Sequence, residues 1–408
     1  MFYPDIMKIP QLKDLVLLGG KQGVHRPIRW LYFADCIECL DDSENLGDWI
    51  HGGELIIVTH NSITQNTNKL KQFMYAANEK NAAGFIIHVG RIAPEIIQTA
   101  DELSLPLFEL SLSIKLVDLS QIICKKLIEE ESKENTLDRI FTDLLYKDSK
   151  NNRDLLYQAQ YYGIDLQKPF CIAMFTMLFS ENQWPEEKQM SIYRTNLQKF
   201  IQYEFYNLGL PNVLTLWQND SIAVLIPLHK IKADLMPVLK RIQAHFWQFY
   251  SINFSVGISH SYHSAEGLKV AFDEAAKAVH IARTIKINDD VVFYKDMGIY
   301  SILADVENVT LLEAYYQSWL KPLMDWDALQ GKDLCNTLEM YLTCNCKVTE
   351  TANALFVHRN TLRYRLDKIE SILGRSLDDL SFCMELQFAF KVKRYWEMTK
   401  PNSIQSLL

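Results

Sequence analysis

Several residue types and patterns that announce common protein classes are scarce here. Glycine supplies 15 of 408 residues and proline 12, which excludes a collagen-like or low-complexity chain. The glycines are dispersed. No G-x-x-x-x-G-K-[ST] phosphate loop occurs, nor H-E-x-x-H, nor G-x-S-x-G. The eight cysteines are scattered and do not form the framework of a secreted disulfide scaffold. No apolar run approaches the roughly 18 residues that a membrane helix needs. The start, MFYPDIMKIP, has no basic region followed by an apolar stretch. These absences lead to the expectation of a cytoplasmic protein that does not enter a membrane.

Neither charge sign dominates. There are 42 Lys plus Arg against 50 Asp plus Glu, a net −8. A chain coated in nucleic acid is disfavoured, but one small basic module on an acidic carrier is not. Hydrophobic residues make up 48% and charged residues 23%, as in ordinary globular proteins. The length suits two to three domains at roughly 100–200 residues each.

Pattern divides the chain into thirds. In the first, apolar runs at 54–59, 83–90 and 105–110 read as strands. Helical spacing over 68–80 and 94–103 lies between them, which suggests parallel strands in a sheet covered on both faces. From Ile114 to about Leu145 the apolar residues recur every three or four positions, predicting a long helix. The middle third reads strand (169–179), helix (190–208), hairpin around Gln218-Asn219-Asp220-Ser221, helix (235–250), strand (254–259), helix (265–283). The order up to that last strand is that of a ferredoxin-like domain. The final third is helical, with candidates at 311–320 and 334–342.

The segment from Val348 to Gly374 carries the functional argument. Residues 348–356 predict a short helix with Val348, Ala352 and Leu355 inward. After a turn at Phe356, Val357 and His358, a second helix starts near Asn360 or Thr361, both good caps. Its apolar residues Leu362, Leu366, Ile369 and Leu373 form one stripe, and Gly374 suits its end. This is a helix-turn-helix pattern. At about 100° per residue, the side opposite the stripe carries Asn360, Arg363, Tyr364 and Asp367, with Arg359, Arg365 and Lys368 toward the flanks. Between 347 and 375 six Lys and Arg face three Asp and Glu, a local +3. Such a helix suits the major groove, where cations offset phosphate charge and Arg and Asn read guanine and adenine edges. The competing reading is a solvated basic helix of a packing domain.

Thr351-Ala352, Leu355 and the run Val357-His358-Arg359-Asn360-Thr361-Leu362-Arg363-Tyr364-Arg365-Leu366 closely resemble the C-terminal DNA-binding signature of PucR-type regulators. That family of bacterial transcription factors includes purine-catabolism and sugar-diacid (CdaR-like) regulators. The resemblance continues upstream. Gly52-Gly53-Glu54-Leu55, residues 83–87 and residues 100–107 are similar to the family's N-terminal sensory domain. Residues 254–259 and 271–278 are similar to its central GGDEF-like domain. The implied fold is multidomain α/β in three parts. Residues 1–130 form an N-terminal α/β sensory domain with an exit helix. Residues 131–300 form a central ferredoxin-like, degenerate GGDEF-type domain. Residues 301–408 form a C-terminal all-α helix-turn-helix domain. The implied function is an effector-responsive, sequence-specific transcriptional regulator, an activator of a catabolic operon, acting as a homodimer or higher homo-oligomer on double-stranded promoter DNA.

An active diguanylate cyclase needs paired carboxylates to hold divalent metal against a nucleoside triphosphate. Here the hairpin lacks both glycines and the glutamate of Gly-Gly-Asp-Glu-Phe, and the strand over 172–178 has no acid. No cyclase activity, no cofactor and no metal site are expected. A nucleotide-processing enzyme with a helical docking tail, or an adaptor whose basic helix binds an acidic protein, are the rivals.

The expected base-edge residues are Asn360, Arg363 and Tyr364. Arg359, Thr361, Arg365 and Lys368 are expected on phosphates. Glu54, Thr59, His60 and His88 are candidates to line an effector pocket, since strand ends of parallel sheets bind ligands. The alternative is that strand-end histidines only cap backbone groups. His25, Arg26 and Arg29 either neutralise an anionic effector or sit on the surface. Cys36-Ile37-Glu38-Cys39 has no partner pair, and Cys344-Asn345-Cys346 has the wrong spacing for structural zinc. All eight cysteines are therefore expected to be ordinary reduced thiols.

Overall fold

The computed structural model describes residues 1–34, 49–87, 92–111, 113–147, 153–179, 184–231, 234–285, 290–306, 308–331 and 333–399. It divides into two compact units: Met1–Cys171, Met177–Phe254 and Tyr262–Lys269 in the first, and Ile172–Thr176, Ser255–Ser261 and Val270–Leu408 in the second. Among the described residues no helix is long and apolar enough to cross a membrane.

The first sheet contains β1 (Val16–Gly19), β2 (Trp30–Phe33), β3 (Glu54–Val58), β4 (Gly84–Ile87) and β5 (Leu107–Glu109), in the order β1-β5-β4-β3-β2. β3, β4 and β5 pair in parallel, as the sequence suggests; β2 adds a further parallel strand beside β3, while β1 joins β5 antiparallel and makes the sheet mixed. β3 and β4 are buried along their whole length, the property that made their apolar runs legible. Their alternate residues serve two cores. Ile56, Val58, Phe85 and Ile87 pack with Leu70, Phe73, Met74 and Ile96 of the helices Thr67–Glu79 and Pro94–Glu102. Leu55, Ile57 and Ile86 pack with Ile6, Leu12 and the first turns of the long helix Leu116–Tyr146, through Leu119 and Ile123.

The second sheet holds β6 (Phe170–Leu178), β7 (Leu214–Gln218), β8 (Ser221–Pro227), β9 (Asn253–Ile258) and β10 (Val291–Phe293). Its order, β10-β9-β6-β8-β7, is that of a ferredoxin-like sheet extended by one edge strand. β7 and β8 form the expected hairpin, with a loop of two residues closed by Gln218 opposite Ser221 and Asn219 at φ +54. Asn tolerates this left-handed backbone better than most residues. Gly257 of β9 is required by packing: a Cβ there would lie 2.2 Å from the Ala275 carbonyl oxygen of the helix Gly267–Thr284.

The C-terminal region is a packed set of helices: Val309–Gln330, Leu334–Thr343, Val348–Ala354, Arg359–Leu373 and Leu380–Thr399. The helix expected over 311–320 continues through Pro322 to Gln330. Leu320 and Leu323, on either side of the proline, are fully buried in the same core, and that burial outweighs the lost backbone hydrogen bond.

Candidate nucleic-acid interface

The helix-turn-helix is built from its buried small residues outward. Thr351 and Ala352 of the first helix are buried, which allows the second helix to pack closely. Leu355 and Val357 pack against the C-terminal core, together with the buried stripe of Leu362, Leu366 and Ile369. Leu373 is half-buried. Gly374 ends the second helix at φ +70, its N–H donating to the Glu370 carbonyl at 2.8 Å. The start differs from expectation. His358, not Asn360 or Thr361, is the cap: its backbone is extended and its Nδ1 accepts from the Asn360 N–H at 3.3 Å. The turn is drawn tight by the Val357 N–H on the Ala352 carbonyl, at 3.0 Å. The chain therefore enters the helix two residues early.

Arg359, Asn360, Thr361, Arg363, Tyr364 and Asp367 are exposed, Tyr364 by 66%. Arg365 and Lys368 are half-buried. Arg365 donates through Nη1 to the Thr337 hydroxyl at 3.1 Å. The Lys368 ammonium lies over the Trp326 ring, 5.6 Å from its centroid. Both flank the stripe closely enough to be drawn into helix packing, which sequence counting did not anticipate for either. Lys347 is paired with Glu350, and Arg375 with Asp379 and Glu385. Among the described residues from 347 to 375, the cations with neither an ion pair nor a packing partner are Arg359 and Arg363, beside the helix N-terminus, whose dipole has the same sign.

Of the strand-end candidates, Glu54 lies apart from Thr59 and His60. Glu54 is buried at the start of β3. Its carboxylate accepts from the backbone N–H of His51 at 2.7 Å and of Gly52 at 2.8 and 3.0 Å. With Gly52 at φ +108 and Gly53 at φ +81, the Gly-Gly-Glu motif is a self-anchored turn. Thr59 and His60 follow the other end of β3, roughly 16 Å away at strand rise. His88 lies outside the described residues, as do Cys36 and Cys39.

The first unit instead has a cavity of about 850 Å³ whose wall includes His25, Arg26, Asn196, Phe200, His245 and Tyr250. Arg26 donates to the carbonyls of Ala82 and Leu103, both at 3.0 Å, and to the Asn78 side chain at 2.7 Å. Burial lowers its pKa to about 10. His245, on the helix Met236–Tyr250, stacks on Phe200 of the helix Glu187–Asn207 with ring centroids 3.8 Å apart, and meets His25 edge-on at 4.4 Å. Desolvation, then the Arg26 charge, lowers His25 to about 4, against a hydrogen bond to the Gln22 backbone. Desolvation, then His25 and Arg26, lowers His245 to about 3. Of this group the sequence pointed only to His25 and Arg26. Nothing in the local pattern marks His245 or Phe200. Arg29 is exposed.

At the hairpin, Asp220 is engaged locally. Its carboxylate accepts from the Ser221 hydroxyl at 3.1 Å and its carbonyl from the Met177 N–H at 3.1 Å. Arg194 donates to the Asn219 carbonyl at 2.8 Å. Among the described residues no three His, Cys, Asp or Glu side chains are grouped to share a metal ion.

Three family profiles match the chain in order: the purine catabolism regulatory protein-like family over residues 5–127, a GGDEF-like domain over 147–281, and the PucR C-terminal helix-turn-helix domain over 334–392. The purine catabolism regulatory protein of Bacillus subtilis is 25% identical over 332 residues, 78% of this chain and 58% of that protein. The proline-responsive transcriptional activator PutR of Bacillus subtilis is 23% identical over 265 residues, 64% of this chain and 62% of that protein. The chain therefore spans about three fifths of the length of these curated relatives. A crystal structure of a regulator of polyketide synthase expression from Bifidobacterium adolescentis aligns with a TM-score of 0.33 at 16% identity, covering 64% of this chain and 93% of that one.

Proposed function

The chain belongs to the PucR-type family of bacterial regulators, and on that premise we propose that it is a cytoplasmic, sequence-specific DNA-binding transcriptional regulator rather than an enzyme. One observation carries the reading. A helix held on its inner side by Leu362, Leu366 and Ile369 presents Arg359, Asn360, Thr361, Arg363 and Tyr364 outward from its N-terminal turns. In this motif it is the N-terminal residues of the second helix that reach base edges. Asn360, Arg363 and Tyr364 take base edges, and Arg359 and Thr361 take phosphates. Arg365 and Lys368 approach phosphate only if they leave Thr337 and Trp326. A homodimer sets two such helices about 34 Å apart, or a multiple of that.

The effector reading moves with the geometry. A small molecule is better housed in the cavity beside His25, Arg26 and His245 than at the ends of β3, because Glu54 is committed to its own turn. The central domain relays or self-associates. The relatives' names, a proline-responsive activator among them, accord with an effector-responsive activator of a catabolic operon, the role implied by the resemblance.

The test is a gel shift of the full chain on DNA upstream of its own gene, repeated across salt concentrations. Binding should weaken steeply with salt. Arg363→Ala should cost about 1–3 kcal/mol and relax specificity at one base pair. Absence of salt-dependent binding to any duplex would exclude the proposal.

A further inference from the structure

The turn of the helix-turn-helix contains a side chain that the fold does not use. The helix Val348–Ala354 ends on Leu355, and Phe356 follows at φ +55. The Phe356 N–H donates to the Asn353 carbonyl at 3.2 Å, and the Val357 N–H to the Ala352 carbonyl at 3.0 Å. These two bonds make a Schellman end, in which the residue at this position takes left-handed backbone and is usually glycine. A bulky L-residue there is strained. The ring is also 96% exposed, although its neighbours Leu355 and Val357 both pack inward. Among the described residues it makes no ring–ring or cation–π contact. Local strain and an exposed aromatic ring are two costs with no return among the described residues.

What surrounds Phe356 identifies its partner. Exposed Asn353 and Ala354 precede it, and exposed His358, Arg359, Asn360 and Thr361 follow. A protein-docking aromatic is normally the centre of an apolar patch. This one stands among hydrogen-bonding groups and a cation, at the mouth of the recognition helix. A duplex offers both chemistries together there: phosphates for the cation, and thymine methyl and deoxyribose C–H surface for the ring. We infer that Phe356 is a DNA-contacting residue whose ring packs on that apolar surface at the edge of the major groove. The inference rests on the DNA-binding reading above.

The test uses the full chain and a duplex that the wild type selects from a random library. Phe356→Gly relieves the strain, and Phe356→Asn tolerates the left-handed backbone while removing the apolar ring. Both variants should melt no lower than the wild type, yet bind the selected duplex at least 10-fold more weakly. Their salt dependence should be unchanged, because no charge is lost. Replacing single thymines by deoxyuridine locates the contact. A position that weakens the wild type but not Phe356→Gly marks a methyl group. Weaker variant binding with no such position marks the sugar. Either outcome supports the inference. Variants that fold and bind within 2-fold of the wild type overturn it and leave the DNA-binding reading standing. So does loss of self-association by sedimentation with DNA affinity intact, which would assign the ring to a second copy of the chain. A wild type that binds no duplex removes both.

Discussion

Lowering the pH from 8 to 5 should destabilise the first unit through two imidazoles. His25 and His245 touch edge-on at 4.4 Å, and His245 lies flat on Phe200. Desolvation is the main cause that holds both neutral, at pKa values of about 4 and about 3. An unfolded histidine titrates near 6.5. Between pH 6.5 and 4 the unfolded chain therefore binds more protons than the folded one, and stability rises with pH across that window. At pH 5 each imidazole costs the fold about 2 kcal/mol, with a pair sum of about 4 kcal/mol as an upper bound, since the two share Arg26 as a neighbour. Above pH 7 neither contributes. Deuterium exchange at the imidazole C2 positions, read by mass spectrometry on the full chain, measures each titration directly. Urea midpoints at pH 7.5, 6 and 5 measure its consequence. His245→Phe keeps a flat ring on Phe200 and removes one titrating group, so its midpoint should fall less steeply with acid than that of the wild type. Ordinary midpoints near 6.5 for both histidines, or the same acid slope in the variant and the wild type, would refute the reasoning.

Leu362 is fully buried on the inner side of the recognition helix. Leu362→Ala should cost about 2–5 kcal/mol and lose DNA binding together with the C-terminal thermal transition. Arg363→Ala, at the surface, should leave that transition within about 0.5 kcal/mol. Arg365→Ala should lower stability by about 1 kcal/mol through the lost bond to Thr337 and leave the salt dependence of DNA binding unchanged, whereas Arg359→Ala should reduce its slope by about 1. A drop of that size for Arg365→Ala would show that this guanidinium reaches phosphate after all. Incubation with GTP and Mg²⁺ should yield no cyclic dinucleotide by chromatography, because the hairpin lacks the glycines and the glutamate of the cyclase motif and the strand over 172–178 has no acid. Detection of product would reverse that expectation.

Local pattern was enough for anything that depends on one element's own periodicity. The stripe at 362, 366 and 369, the glycine that stops the helix, the hairpin at 218–221 and the buried strands β3 and β4 could all be read along the chain. Solvent selects the stripe and the buried strands along the element itself, and the glycine and the hairpin answer to local backbone conformation. β1, β2 and β10 could not be read. They are three or four residues long, and β1 and β2 are edge strands with exposed residues such as Val16 and Trp30, so no apolar alternation betrays them. Tertiary structure also decided the fate of individual polar groups. Glu54 was an effector candidate by position and proved to be the anchor of its own turn. Arg365 and Lys368 were flank cations by helical angle, and neighbouring helices supply a hydroxyl and an indole that hold them. His245 acquired its environment only because folding brings it against His25. A side chain's hydrophobicity belongs to the residue, but its burial, partners and charge state belong to neighbours distant in the chain, and these exist only once the chain has folded.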